Sequence, residues 1–126
     1  VGAALQTVLR PVDPDQEEFV SEPVFDRIKR EITENPIMVY MKGTPDFPQC
    51  GFSGATVRIF ELLGVPIASR NVLEDPELRE GIKRFSNWPT IPQIYIGGNF
   101  IGGSDIVREM YQSGELAELV KKTLEG

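Results

Sequence analysis

The run Ile37-Met38-Val39-Tyr40-Met41 is apolar at all five positions, and no other segment constrains the fold as tightly. A strand with one face in water alternates apolar and polar residues, so an unbroken apolar run predicts a strand covered on both faces. The cover is visible in the flanking sequence. Val24, Phe25, Ile28 and Ile32 recur at the spacing of one helix face, with Ser21 as the cap and Asn35-Pro36 as the stop. After a proline-rich loop at 43–49, a helix is predicted from Gly51 to Leu63, with Ile59, Phe60 and Leu63 inward, ended by Gly64-Val65-Pro66. Ala68 to Val72 reads as a second strand, and Asp75-Pro76 as the N-cap and first residue of a helix to Phe85. Gln93 to Ile96 and Phe100-Ile101, joined through Gly97-Gly98-Asn99, read as a hairpin. Gly102-Gly103-Ser104-Asp105 opens a helix to Gln112, Ser113-Gly114 breaks it, and a last helix turns Leu116, Leu119, Val120 and Leu124 inward. The order α-β-α-β-α-β-β-α-α predicts an α/β fold: a central four-stranded sheet with helices on both faces.

With 126 residues, 40% of them apolar, the chain is long enough for one core and shows no repeat or second domain. Residues 1–21 lack sustained periodicity and hold the acidic cluster Asp13-Pro14-Asp15-Gln16-Glu17-Glu18, which predicts a flexible acidic extension ahead of a domain at 22–126. The first 22 residues carry five acids and one base, so most of the net charge of −6 resides there and the domain is nearly neutral. A nucleic-acid partner would need a basic patch, and a membrane span roughly 18 apolar residues; neither is present in the sequence, so neither partner is expected. The chain begins with Val, read as a processed or trimmed end that leaves no targeting peptide in view.

Chemistry narrows to Cys50, the single cysteine in a chain without histidine. One thiol excludes an internal disulfide, a self-contained dithiol couple and a Cys/His metal site, so any sulfur chemistry needs a second thiol from outside. A single cysteine also suits a reducing compartment. Cys50 falls between a Pro/Gly loop and a helix start, where free N–H groups and the helix dipole favour the thiolate; Lys42, closing the first strand, adds positive charge. The alternative, an inert buried cysteine, fits a loop of this composition poorly.

The motifs Lys42-Gly43-Thr44, Pro48-Gln49-Cys50-Gly51-Phe52-Ser53, Asp75-Pro76-Glu77-Leu78-Arg79, Trp88-Pro89-Thr90-Ile91-Pro92-Gln93 and Gly102-Gly103-Ser104-Asp105 follow one another in the order seen in monothiol glutaredoxins of the single-domain Cys-Gly-Phe-Ser type. The resemblance covers residues 22 to 125 and implies a thioredoxin-like fold with a mixed sheet. It implies that Ser53 stands where dithiol relatives carry a second cysteine, and that Pro92 is a cis-proline exposing the backbone of Ile91 to a thiol peptide. Arg79 and Lys83, four apart on one helix face, would hold the glycyl carboxylate of glutathione together with Lys42; unaided by the resemblance, they read as a solvated surface pair. Gly103, Ser104 and Asp105 would take the γ-glutamyl end, the helix start binding its carboxylate and Asp105 its ammonium. Capping by Ser104 or Asp105 explains the same motif without a ligand. Ser104 also replaces a second cysteine found in some relatives. Phe47, Phe52 and Trp88 read either as an apolar rim around the thiol or as packing residues.

A two-iron, two-sulfide cluster takes four thiolate-type ligands. Two Cys50 and two glutathiones, or related small thiols, from a two-fold dimer would supply them. The resemblance therefore implies a [2Fe-2S] carrier, monomeric without cluster and dimeric with it, that serves iron–sulfur recipients, typically in the mitochondrial matrix. The competing reading is a glutathione-dependent thiol–disulfide oxidoreductase, against which the Thr44–Gln49 insertion weighs. A binding module without chemistry would leave the coincidence of Lys42, Cys50, Pro92 and Asp105 unexplained.

Overall fold

The computed structural model describes residues 22–126. The expected acidic extension and the Ser21 cap lie outside these residues. The elements are α1 (Glu22–Glu34), β1 (Ile37–Met41), α2 (Gly51–Leu63), β2 (Ala68–Asn71), a 3-10 turn (Val72–Glu74), α3 (Pro76–Ser86), β3 (Gln93–Ile96), β4 (Asn99–Gly102), α4 (Ser104–Ser113) and α5 (Glu115–Glu125). The sheet runs β2-β1-β3-β4, with β1 parallel to β2 and antiparallel to β3, and β3 antiparallel to β4. It is mixed and four-stranded, as expected.

Both faces of β1 are covered, and its five residues are all buried. Ile37, Val39 and Met41 join Ile94 and Ile96 of β3 in a core closed by Val57 and Phe60 of α2, Val107 of α4, and Leu116 and Val120 of α5. Met38 and Tyr40 point the other way and pack with Tyr95 against Val24, Ile28 and Ile32 of α1 and Leu78 and Ile82 of α3. Strand alternation thus splits one apolar run between two cores. Burial of this kind is worth about 1.5–3 kcal/mol per large side chain.

The punctuation follows the expected chemistry. Gly64 ends α2 in the left-handed conformation, φ 71°. Gly97 and Gly98 form a two-residue hairpin loop, φ 61° and 80°, where positive φ at both positions matches the twist of the strands. Three details differ from the sequence reading. Val72 leaves the strand for the 3-10 turn, with Asn71 Oδ1 accepting from Leu73 N over 3.0 Å. Strand β4 runs from Asn99 to Gly102 rather than over Phe100-Ile101 alone. Leu124, expected inward, is 42% exposed, and in α5 only Leu116 and Val120 are buried.

A buried carboxylate also escaped the sequence reading. Glu31, 7% exposed, accepts from Arg27 Nε at 3.0 Å, Arg70 Nε at 2.9 Å and the Tyr40 hydroxyl at 2.8 Å. Arg27 also reaches Asp75 at 2.7 Å, so α1 is tied to β1, β2 and the start of α3. Burial alone would raise the Glu31 pKa, but its three donors outweigh burial and hold the carboxyl below its ordinary range.

Candidate active site and ligand cleft

Cys50 is the N-cap of α2, with extended backbone at φ −152° and ψ 136° and no side-chain cap. Its thiol therefore sits at the free N–H groups of the first turn. The Ser53 backbone N–H lowers the thiol pKa most; partial burial opposes this, and the Phe52 N–H, the Lys42 charge and the Ser53 hydroxyl add to the lowering. The net shift is downward from an ordinary value of 9.0. The inert buried alternative fails, since Cys50 is partly exposed.

The loop leading to Cys50 is fixed at both ends. Gly43 N donates to Asn71 Oδ1 at 2.8 Å, and Gln49 N to the Lys42 carbonyl at 2.9 Å. Gly43 itself has φ 93°, and a Cβ there would fall 2.5 Å from both Gln49 N and Phe47 O. Glycine is required here by sterics as well as by backbone conformation. Fully buried Ser53 accepts from Lys42 N at 3.1 Å, so the hydroxyl that replaces a second thiol joins the strand end to the helix start.

A cleft of about 610 Å³ opens beside Cys50 and is lined by Lys42, Arg79, Lys83, Ile91, Pro92, Gly103, Ser104 and Asp105, together with Phe52 and Trp88. Every residue singled out from the sequence as a ligand contact thus lines one cleft. Its lining combines two chemistries: Lys42, Arg79 and Lys83 bring positive charge, and the Gly103–Asp105 helix start brings backbone N–H groups and a carboxylate. Asp75 fixes the cationic arm by accepting from Leu78 N at 3.1 Å while paired with Arg27. One cation is already engaged, with Lys83 Nζ 2.9 Å from Glu80 Oε2.

Gly103, also in the lining, is the N-cap of α4 and no side chain caps it. The reading of Ser104 or Asp105 as a cap is therefore corrected: each lies inside the helix, and the Gly103 backbone takes the cap position. Asp105 is exposed, with Arg108 Nη2 at 3.6 Å. The peptide bond Ile91–Pro92 is cis, as the motif implied.

Two further residues shape the wall. Gln93, fully buried, donates through Nε2 to the carbonyls of Trp88 at 2.9 Å and Thr90 at 3.2 Å, fixing the loop that precedes Pro92. Its place at the end of the Trp88–Gln93 motif was the available signal, but a lone glutamine does not announce burial. Trp88 is half-buried, tilts against Phe100 with ring centroids 5.7 Å apart, and lines the cleft. Phe47 and Phe52 are 74% and 63% exposed, so neither is a packing residue, and Phe52 lines the cleft while Phe47 does not.

The family model for glutaredoxin matches residues 37–101. A ycf64-like monothiol glutaredoxin of Synechocystis is 54% identical over 98 residues, which span 78% of this chain and 92% of that protein. The mitochondrial monothiol glutaredoxin-5 of Saccharomyces cerevisiae is 50% identical over 107 residues, 82% of this chain and 71% of the relative. The solution structure of reduced poplar apo GrxS14 superposes with a TM-score of 0.73 at 47% identity, covering 82% of this chain and 94% of the poplar chain. With its thioredoxin-like fold and a single cysteine at the mouth of the cleft, the chain belongs to the glutaredoxin family, among its monothiol members.

Proposed function

We propose that the cleft binds glutathione and that the protein carries a [2Fe-2S] cluster as cargo for iron–sulfur recipient proteins. The observation that carries this reading is Cys50, a lone thiol with a favoured thiolate, lining a cleft together with three cations and a helix start. A γ-glutamyl-cysteinyl-glycine tripeptide has matching features: a glycyl carboxylate, a central thiol, and an amino-acid end. Lys42, Arg79 and Lys83 take the glycyl carboxylate. The helix start at Gly103 and Ser104 takes the γ-glutamyl carboxylate, and Asp105 its ammonium.

One chain with one bound tripeptide offers two thiolates, and a cluster takes four. A two-fold dimer of such complexes completes the set, leaving the apo protein monomeric. Half of the ligands are then small and exchangeable, which suits release to a recipient. The exposed ring of Phe52, which lines the cleft with Cys50, provides an apolar surface for that meeting. Placement in the mitochondrial matrix rests on the likeness to the yeast protein.

A second reading draws on the depressed thiol pKa. The Cys50 thiolate attacks the glutathionyl sulfur of a mixed disulfide, expelling the protein thiolate and becoming glutathionylated. A second glutathione thiolate then attacks that sulfur, forming glutathione disulfide and restoring Cys50. Ser53 cannot take the second role, since a hydroxyl forms no disulfide.

Anaerobic reconstitution with iron, sulfide and glutathione, followed by visible absorption and native mass, separates the two. A coloured dimer holding one cluster and two glutathiones, absent when the thiol is omitted, supports the carrier. A colourless monomer that reduces a glutathione mixed disulfide supports the oxidoreductase.

A further inference from the structure

Lys83 lines the cleft, yet its Nζ lies 2.9 Å from Glu80 Oε2, one helical turn back on the same face of α3. Neither partner is fully solvated, with side-chain exposures of 26% for Lys83 and 41% for Glu80. Glu80 does not itself line the cleft, yet its carboxylate is bound to one of the three lining cations that would meet a ligand's carboxylate. We infer that Glu80 is a specificity-determining residue, an internal competitor that holds Lys83 and reduces the advantage of a free glycyl carboxylate over a neutral end. The inference rests on the glutathione reading of the cleft.

The physical argument is an exchange of partners. A ligand carboxylate that engages Lys83 must displace Glu80 or share the ammonium with it, and sharing places two like charges beside one cation. Arg79 and Lys42 are not subject to that exchange, since no ion pair engages either among the described residues. The ligand therefore meets two available cations and one preoccupied one. Thiol peptides whose terminal carboxylate is esterified or joined through an amide lose less here than they would in a cleft with three free cations. Removing the Glu80 charge frees Lys83 and sharpens the preference for the free acid.

The chain holds a single tryptophan, Trp88, on the wall of this cleft, so its fluorescence serves as the readout. The probes are S-methylglutathione, which binds without thiol exchange, and its glycyl ethyl ester. E80Q should tighten the acid by about fivefold, the scale of a partly exposed ion pair, and leave the ester unchanged. In a K83Q background the same substitution should give no such gain, which separates release of Lys83 from general loss of negative charge. A wild-type preference for the acid that E80Q leaves unaltered overturns the inference alone, as does a gain that persists in K83Q. Wild-type and R79Q proteins that each bind acid and ester equally overturn the cleft reading, and this inference with it.

Discussion

The backbone N–H of Lys42 donates to the Ser53 hydroxyl over 3.1 Å. This one bond joins the cleft lysine, which directly follows β1, to the first turn of α2, whose N-cap is the thiol residue Cys50. The same hydroxyl helps to lower the pKa of Cys50. The residue that removes the second thiol from the motif thus holds and tunes the first one.

Ser53→Ala should therefore change two properties together. Leaving the Lys42 N–H without its acceptor should cost about 1–3 kcal/mol in urea unfolding, and the thiol pKa should rise. Thiolate absorbance followed against pH reads the second effect. An unmoved titration would mean that the backbone N–H groups alone set the thiol.

The pH dependence of Cys50 has a definite sign. Its folded pKa is depressed, chiefly by the Ser53 N–H, so its contribution to stability is fully present above the ordinary thiol value. That contribution is lost as pH falls through the depressed value. Alkylation rates should show a midpoint below 9.0, and Lys42→Met should move it upward, with a smaller difference at high salt.

Glu31 and Asp75, both paired with Arg27, contribute to the acid limb. The Glu31 carboxyl is held below 4.5, so stability from this group is present above that value and disappears as pH falls through the lower folded one. Glu31→Gln should destabilise by about 1–3 kcal/mol at neutral pH, because Arg27 and Arg70 lose a charged acceptor while Arg27, partly exposed, keeps Asp75. The loss measured by thermal unfolding should shrink toward acid pH; a pH-independent loss would point to packing instead.

Gly43→Ala should displace the loop before Cys50. The added methyl meets backbone atoms at 2.5 Å, and the left-handed conformation adds strain, so the loss should exceed about 1 kcal/mol. Amide exchange across residues 43–49 reports where the strain is relieved. Unchanged protection there would contradict the close approach.

Within the proposed function, Cys50→Ser should abolish cluster assembly, while Asp105→Ala should weaken it and raise the glutathione concentration required. Visible absorption of reconstituted protein gives both outcomes. Undiminished cluster in Cys50→Ser would refute the ligand assignment.

The elements were legible because their signals are local. Asp75-Pro76 reads as a helix start, and it caps Leu78 N; Gly97-Gly98 reads as a hairpin turn, and both residues have positive φ. Leu124 misled because periodicity describes a helix face but not which residues on that face find partners to cover them. Ser104 and Asp105 have capping chemistry, yet the chain turns one residue earlier, at Gly103. For the site, the motif order identified the lining residues, whereas their joint placement around one cleft required contacts between elements far apart in sequence.

Taken alone, the sequence determined the element order, the two-sided burial of β1 and the restriction of sulfur chemistry to Cys50. These follow from periodicity, backbone preference and residue count, which act over a few neighbours or over none. The tertiary structure decided that Glu31 is buried among Tyr40, Arg27 and Arg70, that Gln93 pins the loop before Pro92, and that Lys83 reaches the cleft already bound to Glu80. A charged or amide side chain has the same chemistry on a surface as in an interior. Only the packing of distant elements fixes which water it loses and which partner replaces it.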